Sequence, residues 1–140
     1  MSRYVVDASV AAKWFIEEEH NEIAIRLLNE SHELLAPDFA RAEIGNILWK
    51  KIRVGDLGLE EAEDILQEFS ELPVQLYPIE ERLAESLKIA PNFDRSIYDC
   101  FYLALAIDYD CQMVTSDRKL YNALKDTSLG SYLCWIEDLP

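Results

Sequence analysis

The chain has 140 residues, half of them hydrophobic, and a formal net charge of −14. That length suits one domain with a sizeable core, and a single domain over 1–140 is expected. The charge excludes broad electrostatic attraction to nucleic acid, and the lack of a spanning apolar run or a signal peptide points to a cytoplasmic protein with no membrane partner.

"RYVV" (3–6) is a short β-rich run ending at Asp7, and "ASVAAKWFIEE" after it predicts a helix. "NEIAIRLLNES" (21–31) has helical spacing, and "ELLAP" (33–37) reads as a buried strand stopped by Pro37. A long helix is expected from a cap at Asp38 to about Val54, ended by Gly55. A helix over 59–71, a strand in "PVQLYP" (73–78) and a helix over 79–90 follow. "IYDCFYLALAI" (97–107) is apolar on every side except for Asp99, so it predicts a helix buried on most sides. The strand "CQMVT" (111–115), a short helix after Asp117 and the strand "YLCWI" (132–136) complete the chain. Short apolar strands alternating with helices imply an α/β fold with a parallel sheet covered on both faces.

Cys100, Cys111 and Cys134 lie in apolar surroundings without CxxC spacing, and read as reduced thiols. His20 and His32 lie in polar stretches, so neither zinc nor a histidine-activated nucleophile is indicated. Four acids stand out instead. Asp7 and Asp117 fall at strand ends, where both also suit a helix N-cap, with Thr115 and Ser116 competing as caps. Glu43 lies in the stripe between Phe39 and Ile47, where a core side chain is expected, or at its edge, paired with Arg41 or a lysine. Asp99 would be costly as a lone buried charge; free N–H groups of the first helical turn, Arg95 or Ser96 offer partial relief. A parallel sheet would bring all four to one rim, where they repel one another unless protonated or bound to a cation. An all-oxygen set selects Mg²⁺ or Mn²⁺, with Ser9, Thr115 and Ser116 orienting the carboxylates.

"VVDASVAAKWF", "PDFARAEIGNILWK", "SIYDCFYLALAI" and "MVTSDRKL", in this order and spacing, resemble the PIN-domain ribonucleases, above all the VapC-type toxins of toxin–antitoxin pairs. The resemblance implies a three-layer α/β/α sandwich with a central, mainly parallel sheet, and metal-dependent endonucleolytic cleavage of RNA. It places the family's acids on Asp7, Glu43, Asp99 and Asp117, and its hydroxyl residues on Ser9, Thr115 and Ser116. It also implies a homodimer silenced by a cognate antitoxin. The bulk acidity departs from what an RNA-binding protein calls for, so contacts must be local: Arg41, Lys50, Lys51, Arg118 and Lys119 are the candidates. For Lys50 and Lys51 ordinary cation placement at a helix C-terminus is the simpler explanation, and for Arg118 and Lys119 a solvated face serves as well. Trp14 and Trp49 read as core or interface residues rather than stacking platforms. The rival functions are a non-catalytic interaction module of the same fold, a Mg²⁺-binding receiver domain and a DNA-directed nuclease. The receiver is disfavoured because Asp7 has no acidic neighbour and no strand-end Asp occurs mid-chain.

Overall fold

The computed structural model describes residues 2–29 and 31–140. Five parallel strands form one sheet: β1 (Ser2–Val6), β2 (His32–Pro37), β3 (Val74–Tyr77), β4 (Gln112–Thr115) and β5 (Leu133–Trp135), in the order β3-β2-β1-β4-β5. The helices are α1 (Ala8–Ala12), α2 (Asn21–Arg26), α3 (Ala40–Arg53), α4 (Leu59–Glu71), α5 (Leu83–Phe93), α6 (Ile97–Asp108) and α7 (Arg118–Leu124).

Alternation along the strands sorts the core into two layers, because successive side chains point to opposite faces. Tyr4, Val6 and Val114 pack with Val10, Ile44, Leu48 and Phe69 from α1, α3 and α4. Val5, Leu35 and Met113 pack with Leu103, Leu105, Leu120 and Leu124 from α6 and α7. The result is the α/β/α sandwich expected from the sequence. Helix α6 is buried from Cys100 to Ala106, which accounts for its lack of a polar face. Each fully buried leucine there contributes roughly 1.5–3 kcal/mol of transfer free energy. Cys100 and Cys134 are buried free thiols, and burial pushes both up to about 11, so they stay protonated.

Some elements differ from their sequence expectation. The helix after Asp7 stops at Ala12, because the Asn21 amide donates to the carbonyls of Lys13 (2.6 Å) and Ile16 (3.4 Å) and holds the chain in a turn. Trp14 is thereby buried, with its indole N–H donating to Ala24 O at 2.8 Å. Helix α2 ends at Arg26, short of the 21–31 expectation, of which position 30 lies outside the described residues. Asp38 does not cap α3: its backbone N–H donates to Tyr77 O at 2.8 Å, and Phe39 takes the cap position without a side-chain bond. Gly55 does end the following turn, at φ 84°, a conformation that costs glycine nothing. The segment expected as one helix over 79–90 opens as a 3-10 turn (Ile79–Arg82), and α5 then runs to Phe93 through Pro91. No helix among the described residues is long and apolar enough to cross a membrane.

Candidate active site

The strand order reverses between β1 and β4, which pair through Val5↔Met113 and Val6↔Val114. Such a reversal opens a crevice at the carboxyl ends of the strands, where the outgoing connections diverge to opposite faces. Asp7 leaves β1 there, level with Thr115 of β4, and Asp117 follows two residues later, so both acids lie at the same end of adjacent strands. Helices α3 and α6 then bring Glu43 and Asp99. All four line one cleft of about 450 Å³.

Asp7 is the most enclosed of the four, 7% exposed. Its Oδ1 accepts from the Val10 backbone N–H at 2.9 Å, which caps α1, and from the Ser9 hydroxyl at 2.6 Å. Capping and lining the cleft are therefore one arrangement rather than rival explanations. Burial raises its pKa above the ordinary value, Ser9, Thr115 and the Val10 N–H lower it in part, and the charge of Asp117 raises it again. Asp117 likewise caps its helix, accepting from the Leu120 N–H at 3.2 Å, while its own N–H donates to Thr115 Oγ1 at 3.0 Å. Ser9 and Ser116 hydroxyls meet at 3.1 Å. The three hydroxyl residues singled out from sequence thus stand among the two strand-end acids.

Glu43 does not lie on the core face of α3. That face is Ala40, Ile44 and Leu48, and the stripe one residue back, with Phe39, Glu43 and Ile47, faces the cleft. Nor does Glu43 pair with Arg41 or a lysine: it accepts from the Tyr102 hydroxyl at 2.5 Å. Burial raises its pKa, the Tyr102 hydrogen bond opposes this, and the charges of Asp7 and Asp99 add to it. Asp99 is half-buried in the first turn of α6, where its backbone N–H donates to the capping Ser96 hydroxyl at 3.1 Å. Burial raises its pKa too, with Arg95 and Ser96 lowering it and Asp117 raising it. The lone carboxylate of the apolar helix is thus relieved on two sides, by the open cleft and by the residues just before the helix.

Among the described residues, no three acidic, histidine or cysteine side chains stand close enough together to hold a metal ion as they are placed. The donor set nevertheless fits a hard divalent cation: four carboxylates around one hollow, with no imidazole or thiolate lining it.

Of the candidate cations, Lys50 lines the cleft. Lys51 is engaged by Glu18 at 3.5 Å, and Arg118 lies over the Trp135 ring at 4.3 Å, with Glu137 at 3.9 Å. Arg41 is exposed and reaches back to Asp38 O; Lys119 is exposed on α7. Sequence reasoning passed over Tyr98, Tyr102 and Asn46, which also line the cleft. The signal was present: Tyr102 stands three residues after Asp99, and Asn46 three after Glu43, each pair on one helical face.

The PIN domain family pattern matches residues 4–125. Ribonuclease VapC3 of Pyrobaculum aerophilum is 34% identical over 120 residues, covering 84% of this chain and 92% of that relative. The crystal structure of PAE2754 from Pyrobaculum aerophilum superposes with a TM-score of 0.65 at 28% identity, over 89% of this chain and 81% of that one. A toxin-antitoxin complex from Klebsiella pneumoniae contains a chain with the same fold, with a TM-score of 0.58 at 13% identity over 97% and 99% of the two chains. With the sheet order, the cleft at its reversal and the four acids in place, these matches show that the chain belongs to the PIN-domain family, as a ribonuclease of the VapC type.

Proposed function

We propose that Asp7, Glu43, Asp99 and Asp117 together hold Mg²⁺ or Mn²⁺ and hydrolyse phosphodiester bonds within RNA, in one nuclease domain over residues 1–140. The observation that carries this reading is the convergence of four carboxylates, from four separate stretches of the chain, on a single cleft with no histidine or cysteine among the described residues that line it. When bound, the cation supplies the charge that stabilises the growing negative charge on the phosphate and eases deprotonation of water. The chain supplies the rest. Ser9 and the Val10 N–H hold Asp7 through Oδ1 and fix its carboxylate at the cleft. Asp117 is fixed in the same manner by Leu120. Glu43, held through Oε1 by Tyr102, keeps Oε2 to ligate or to take the proton of the attacking water. Lys50, which lines the cleft, is the cation for a bound phosphate; Arg41, Lys51, Arg118 and Lys119, outside its lining, are further aids to RNA binding.

The partners fit the same reading: a cognate antitoxin that covers the acids with a basic side chain, and a second copy of the chain, acting in the cytoplasm. Exposed apolar side chains support a protein partner, Trp49, Val54 and Leu59 at the α3–α4 end and Leu83 and Leu87 on α5.

The test is cleavage of a labelled RNA by the purified chain with Mg²⁺, Mn²⁺ or EDTA. Asp7→Asn and Asp99→Asn are expected to lose cleavage at least about 100-fold while circular dichroism stays unchanged. Equal rates in both variants, or full activity in EDTA, would overturn the assignment.

A further inference from the structure

The cleft has a second wall that hydrolysis does not use. Tyr98 stands one residue before Asp99 on α6, and its ring stacks on Phe39 at the start of α3, with centroids 5.1 Å apart and planes 15° apart. Phe101, itself buried, packs edge-on against both, at 5.9 Å from Phe39 and 6.3 Å from Tyr98. The ring of Tyr98 is therefore braced, yet the residue remains 54% exposed and lines the same cleft as the acids.

Electrostatics make such a wall consequential. The chain carries −14, and Lys50 is the single cation among the described residues that line the cleft. The nearby Lys51 and Arg118 are engaged by Glu18, and by Trp135 and Glu137. Within the lining, phosphate neutralisation, the usual source of affinity for nucleic acid, falls to Lys50 alone, with Arg41, Arg95 and Lys119 outside it. Stacking on an aromatic ring needs no positive charge and tolerates any base.

We infer that Tyr98 is a base-stacking residue: an unpaired nucleobase beside the scissile phosphate lies on its exposed ring, which Phe39 and Phe101 hold in position. The inference rests on the RNA-cleaving reading of the cleft and adds the side chain that would hold an unpaired base beside the cut, since a paired base has no free face to offer.

The experiment is steady-state cleavage of a short single-stranded RNA with Mg²⁺ by the full chain and its Tyr98 variants. Tyr98→Ala is expected to raise KM about 10-fold and leave kcat within about 3-fold, while Tyr98→Phe and Tyr98→Trp restore KM. An abasic nucleotide scanned along the RNA is expected to raise KM by a similar factor at one position next to the cut in the wild type, and to add nothing in Tyr98→Ala. An unchanged KM in Tyr98→Ala, or an abasic penalty that persists in that variant, overturns the inference. A Tyr98→Ala chain that keeps its KM but sediments as a smaller assembly would assign the ring to a protein interface instead. Fluorescence anisotropy of the same RNA separates this inference from the reading beneath it. Binding that depends on Tyr98 without cleavage sustains stacking and removes the hydrolytic assignment; cleavage indifferent to Tyr98 does the reverse.

Discussion

The Tyr102 hydroxyl donates to Glu43 Oε1 at 2.5 Å, joining α6 to α3 across the back of the cleft. Burial first, and then the Glu43 charge, holds the Tyr102 phenol far above its ordinary pKa, so it remains a donor at any physiological pH. The bond leaves Glu43 one directed oxygen and opposes the rise in its pKa caused by burial. Tyr102→Phe keeps the ring in the core and removes only the hydroxyl. Its kcat is expected to fall about 10-fold at neutral pH, a typical loss for a hydrogen bond to a charged group. Because a lowering influence is lost, the acid limb of the pH–rate profile is expected to move to higher pH.

Asp7 predicts an unusual pH dependence of stability. Its folded-state pKa is raised above 3.8 by burial, so the folded chain holds this proton more tightly than the unfolded chain. The contribution to stability is therefore intact below 3.8 and is lost as pH rises through the higher folded-state value. Glu43 and Asp99 act in the same direction, from ordinary values of 4.5 and 3.8. Asp7→Asn retains an oxygen to cap α1 and discards the charge. In EDTA at neutral pH its Tm is expected to exceed wild type by about 3–6 °C, and the gain to vanish near pH 4, in the ordinary carboxylate range. Differential scanning calorimetry across pH reads both.

Cation binding is expected to reverse that order. Any ion bound only by the folded state stabilises it, by about 2.7 kcal/mol at a hundredfold excess over Kd. Saturating Mn²⁺ is therefore expected to raise the wild-type Tm by several degrees, and to leave Asp7→Asn and Asp117→Asn nearly unmoved. A thermal shift of equal size in all three would place the ion elsewhere.

Gly130 stands just before β5, where a Cβ would sit 2.1 Å from Lys125 O and 2.8 Å from its carbonyl carbon. Those atoms are backbone, in the turn that leaves α7, and cannot swing aside. Gly130→Ala is expected to cost about 1–3 kcal/mol, the range for an overpacked site, seen as a lower urea midpoint at unchanged m-value.

The alternation of strands and helices was legible because each is set by local pattern: brief apolar runs for strands buried on both faces, and a helix without a polar side for α6. Asp7 and Asp117 were legible for the same reason, since an acid after an apolar strand and before a helix caps it with its own neighbouring N–H groups. Glu43 was legible as an anomaly in α3, but its stripe could not be assigned to core or cleft from spacing alone. Phe39 and Ile47 are as apolar as Ile44, and only the neighbouring elements decide which face is covered.

By itself, then, the sequence determined which acids the chain carries, their helix and strand-end positions, and that they lie outside any histidine or thiolate chemistry. The tertiary structure decided the rest: the reversal between β1 and β4, the short α1 tied off by Asn21, the engagement of Lys51 and Arg118, and the bond from Tyr102 to a glutamate 59 residues away. The physical reason is range. Caps and periodicity act within a turn or two of chain, whereas the shape and charge of the cleft depend on side chains that meet only after the sheet has assembled.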